Sequence, residues 1–100
     1  MGRAVQNALA FVEATVLAMH LAEHLTRAER EARGLEELLD QLTMIEPASR
    51  PAWVVLGRLA RHIVSAFEDT GDWLLVLAIE LQNEVMAHVD AVHARQKGSG

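Results

Sequence analysis

The chain has 100 residues, a 51% hydrophobic share dominated by Ala, Leu and Val, four aromatic residues and two prolines. That length allows one domain with one core, and that composition favours helices packed on helices over any sheet, so the expected class is all-α. The formal charge is −5, with acidic residues outnumbering basic ones in both halves; this excludes a basic surface for nucleic acid, and the lack of cysteine excludes disulfides, thiolate metal sites and cysteine nucleophiles.

The first segment, ALAFVEATVLAMHLA (8–22), follows Arg3 and could be taken for a membrane span or signal core, but Glu13 and His20 interrupt it. It also falls short of the roughly 20 apolar residues that a span requires. A buried helix and no membrane partner are expected, and with the absence of cysteine a cytoplasmic location. Residues 1–96 read as a single helical domain, and the terminal KGSG (97–100) as a tag or linker remnant.

Two apolar seams run along this first helix. One comprises Val5, Leu9, Val12, Val16 and Met19 and stops where Glu23 takes the next position. The other passes through Phe11, Ala14, Ala18, Leu21 and Leu25, then continues through Ala28, Ala32, Leu35, Leu39 and Leu42 at heptad spacing. Thr26-Arg-Ala-Glu29 fits a capping box, which would end the first helix near His24 and begin a second at Arg27. The resulting arrangement is a four-helix bundle, up-down-up-down. Against the box, no Gly or Pro lies near residue 25 and the seam is unbroken. One long N-terminal helix over 4–45 in an intertwined dimer, or two helices joined at Gly34, therefore stay open.

The segment EPASRP (46–51) is the clearest break, with two prolines and Ser49 able to cap a third helix over 51–69. On that helix Arg58, Arg61, Ser65 and Glu68 form a solvated face opposite Trp53, Leu56, Ile63 and Phe67. DTGD (69–72) reads as a tight turn, Gly71 taking a left-handed conformation and Asp72 capping a fourth helix over 72–96. The start of that helix, WLLVLAI (73–79), is apolar all round, like residues 4–22. Such segments need cover on several sides, so a homodimer in which the first and fourth helices meet across a two-fold axis is expected.

Three sets of polar residues carry candidate chemistry. His20 and His24 lie on one helical face with Glu23 beside them, as HLAEH (20–24). This resembles the H-x-x-E-H motif of the inverzincin metallopeptidases, in which the two histidines bind zinc and the glutamate is the general base. The resemblance covers five residues, and those peptidases are several times longer with a sheet in the catalytic domain. It implies zinc ligation by His20 and His24 rather than a peptidase. Gln6, Glu13, His20 and Arg27 also recur seven apart, the ordinary mark of a narrow solvent-facing stripe.

The second set is Glu80, which follows seven apolar residues and has Trp73, Val76 and Leu77 on its own face. Burial there would raise its pKa and make it a general base. With His20, His62, Glu84 and Trp73 as supporting groups, it would serve a ligand-binding, catalytic bundle whose pocket lies between the first, third and fourth helices and takes a small apolar ligand. Few surface lysines and abundant histidine fit either a high-GC source or an engineered bundle. The third consists of the apolar faces themselves, through which a small interaction or scaffold domain would self-associate or bind a protein partner. That third possibility needs no cofactor and no catalytic group, and it is the leading expectation.

Overall fold

The computed structural model describes residues 2–70 and 72–99, and the side chains of 6–70 and 72–91. It is all-helical: α1 (Gly2–Glu23), α2 (Arg27–Ala32), α3 (Leu35–Met44), α4 (Arg50–Phe67) and α5 (Trp73–Ser99), with no strand among the described residues. None of these helices is long and apolar enough to cross a membrane.

The long helix over 4–45 does not form, because the chain breaks twice within it. Thr26 takes an extended conformation (φ −66°, ψ 159°), and its hydroxyl accepts from the Glu29 N–H while the Glu29 carboxylate accepts from the Thr26 N–H, both at 3.1 Å. This reciprocal box satisfies donors that a helix start leaves open, which makes a turn possible without Gly or Pro. The Glu29 carboxyl is held below its ordinary pKa, chiefly by the hydrogen bond from the Thr26 backbone. Six residues later Gly34 adopts φ +74°, a left-handed conformation that costs a side-chain-bearing residue, and splits the expected second helix into α2 and α3. The described residues thus form five helices where four were expected. Arg33 donates to the Ser65 hydroxyl, tying this corner to α4.

Further along, Ser49 caps α4 by accepting from the Ala52 N–H at 3.3 Å, with Pro51 in the first turn. Ala48, just before it, is the one non-glycine at positive φ among the described residues (62°). Asp72 accepts from the Leu74 N–H at 2.9 Å and so starts α5. The conformation expected of Gly71 lies outside the described residues.

Helix α4 is the centre of the molecule. Nine of its residues are buried, Trp53, Leu56, Leu59 and Ile63 among them, and it touches α1, α3 and α5. Trp53 is held between two elements: the Phe11 ring of α1 meets it edge-on at 5.2 Å, and the half-buried His88 ring of α5 stacks on it at 4.6 Å. Each helix contributes one stripe to the core: Phe11, Ala14, Ala18, Leu21 and Leu25 from the first part of the chain, Leu35 and Leu38 from α3, and Ala78, Leu81 and Val85 from α5. The heptad seam is interrupted in the middle, where Ala28 and Ala32 are exposed on α2.

Coverage stops there. The second stripe of α1 faces outward, with Leu9, Val12, Val16 and Met19 between 47% and 60% exposed, and on α5 Trp73, Val76 and Ile79 are also exposed. The two segments that are apolar all round are thus flanking helices. The amphipathic α4 takes the central place, because it alone has neighbours on three sides.

Candidate functional site

Of the candidate polar residues, the first group does converge. His20, Glu23 and His24 are all exposed near the end of α1, where a helix that ends at Glu23 presents positions four apart on one side. The His20 and His24 rings lie 5.0 Å apart, nearly perpendicular. His24 Nδ1 is 3.0 Å from the His20 carbonyl oxygen, a distance at which it donates, which leaves Nε2 as the ring nitrogen with a free lone pair. The Trp73 ring, 58% exposed at the start of α5, meets the other side of His24 edge-on at 5.9 Å. Three rings, from α1, the turn after it and the start of α5, therefore adjoin. Among the described residues, no three His, Asp or Glu side chains come together as metal ligands.

The second group does not assemble. Glu80 and Glu84 are exposed on α5, and His62 is half-buried on α4. Glu80 forms no ion pair with Arg58 or Arg61. The burial expected to make Glu80 a base is absent, because α5 turns Ala78, Leu81 and Val85 to the core and the positions between them to solvent. Trp73 does not wall Glu80 into a buried pocket; it is itself mostly exposed and packs on His24.

A concavity lies elsewhere, between α1 and the α2–α3 corner. It is a groove of about 400 Å³ whose apolar lining is Met19, Ala22, Leu39 and Leu42. One end is closed by Arg30, whose Nε donates to Glu36 at 2.8 Å and whose Nη1 donates to the Ala22 carbonyl at 3.4 Å. Glu23 and Asp40 stand on its rim, and neither has an ion-pair partner among the described residues. Thr15 and Thr43 line it further along, and the Thr15 hydroxyl is buried with no hydrogen-bond partner.

The sequence analysis placed Met19 in an apolar seam of the first helix and singled out no residue for this groove. The groove exists because the two breaks at Thr26 and Gly34 let α3 pack on α4, as α1 does, which leaves a concavity between α1 and α3. Both signals are visible in the sequence, but only taken together do they produce a concave surface. Comparison of the chain with family models, with curated proteins and with solved structures returns no match.

Proposed function

We propose that this chain works by self-association: a small helical interaction or scaffold domain whose copies bury the outward apolar faces of α1 and α5. The observation that carries this is the row Leu9, Val12, Val16 and Met19, spaced three and four apart and about half exposed after the chain has folded. A continuous apolar stripe of that kind on a small protein marks an interaction surface, whereas scattered exposed apolar residues do not. Glu13 and His20 bound it on one side, the polar edge that an interface between helices commonly has. Within each copy, α1, α3, α4 and α5 act as the four elements of an up-and-down bundle, with α2 as a connector, in a cytoplasmic setting.

The test is the mass in solution by light scattering across a hundredfold range of concentration. A dimer that dissociates on dilution supports self-association; a monomer at every concentration overturns it.

A metal site at His20 and His24 is a second proposal, favoured by the hydrogen bond that directs His24 Nδ1 to a backbone carbonyl. Metal-bound histidines typically have their second nitrogen held in that way. Two histidines four apart would then hold zinc, with water completing the coordination. Zinc should raise the melting temperature by mass action, and His24→Ala should abolish the rise. An unchanged melting temperature at millimolar zinc would rule it out.

A further inference from the structure

We infer that the groove between α1 and the α2–α3 corner binds a primary amine carried on a hydrocarbon body. Its volume of about 400 Å³ is that of a small-molecule site rather than of a packing defect. Among the described residues the lining offers aliphatic and thioether surface from Met19, Leu39 and Leu42, and no aromatic ring, which suits a flexible alkyl chain. Thr15 and Glu23 stand eight residues apart on α1, so the groove runs roughly 12 Å along that helix.

Charge selects the head group. The one cation on the groove among the described residues, Arg30, is taken up by Glu36 and the Ala22 carbonyl, so Glu23 and Asp40 leave the rim with two uncompensated negative charges. An ammonium group donates three hydrogen bonds and meets those carboxylates favourably, whereas a carboxylate head group is repelled. At the other end, the buried Thr15 hydroxyl lacks a partner, although buried hydroxyls normally have one. Thr15 lines that end of the groove, while its hydroxyl oxygen is itself closed off from solvent. This inference does not depend on self-association, although Met19 belongs to both surfaces.

The experiment is two-dimensional NMR of the full chain titrated with octylammonium chloride, sodium octanoate and 1-octanol in turn. Octylammonium should shift the side-chain signals of Thr15, Leu39 and Leu42 and bind about tenfold more tightly than octanoate, with octanol in between. Asp40→Asn, at an exposed position where folding is unaffected, should weaken octylammonium by about threefold and leave octanol unchanged. The inference fails if octanoate or octanol binds as tightly as octylammonium, if the shifts centre on Leu9, Val12 and Val16, if Asp40→Asn changes nothing, or if none of the three binds.

Discussion

Val16→Ser is the substitution that most directly separates folding from association. Val16 is 60% exposed, so about three-fifths of its transfer free energy is still available to an interface and two-fifths already supports the fold. Full burial of a valine side chain stabilises by roughly 1.5–3 kcal/mol, so the part left for association is roughly 1–2 kcal/mol per copy. A two-fold interface contains the residue twice, which raises this to roughly 2–4 kcal/mol, a weakening of the dimer Kd by roughly 30- to 700-fold. The same arithmetic assigns about 1 kcal/mol to the monomer's own stability, and serine and valine have similar helix propensities, so the chain stays folded. Sedimentation equilibrium at several concentrations gives the Kd, and circular dichroism confirms the fold. A Kd within a factor of three of the parent chain would refute the placing of the α1 stripe in the interface.

Other positions test how the helices are terminated and packed. Gly34→Ala should destabilise by about 1 kcal/mol in urea unfolding, from the left-handed backbone alone, since no atom lies within 4 Å of the added methyl. Gly57→Ala should act the other way: its methyl would meet Val85 Cγ1 at 3.7 Å and Met86 Sδ at 3.8 Å, ordinary contacts, while the gain in helix propensity of about 1 kcal/mol would raise the melting temperature by about 4–8 °C. A fall instead would mean that α4 and α5 approach more closely than described. Thr26→Ala removes the capping box and should cost about 1 kcal/mol by the same unfolding assay. Because the Glu29 pKa is lowered by folding, its share of stability is present above the ordinary carboxylate pKa and is lost as pH falls through the depressed value; Glu29→Gln should flatten that acid limb of the stability profile.

Features that are settled within a few residues of chain could be read directly from the residues. The capping box at Thr26, the caps at Ser49 and Asp72 and the buried face of α4 were all legible, because a cap is a hydrogen bond across two or three positions and an amphipathic face is a periodicity. Gly34 was legible as one alternative, but the weighing set it against the Thr26 break, and the chain uses both. Which sides of the apolar helices find neighbours depended instead on packing between distant segments. Residues 8–22 and 73–79 carry more apolar surface than a single flank can cover, and nothing local says which stripe is left outside. The packing on α4 settled that: Phe11, Ala18 and Leu81 went to the core, while Val16, Trp73 and Ile79 stayed at the surface. Glu80 followed its helix, exposed because the face opposite it was the one that α4 could reach. The groove beside Thr15 belongs to the same level, since a concavity requires two helices at a set distance and no single segment encodes one.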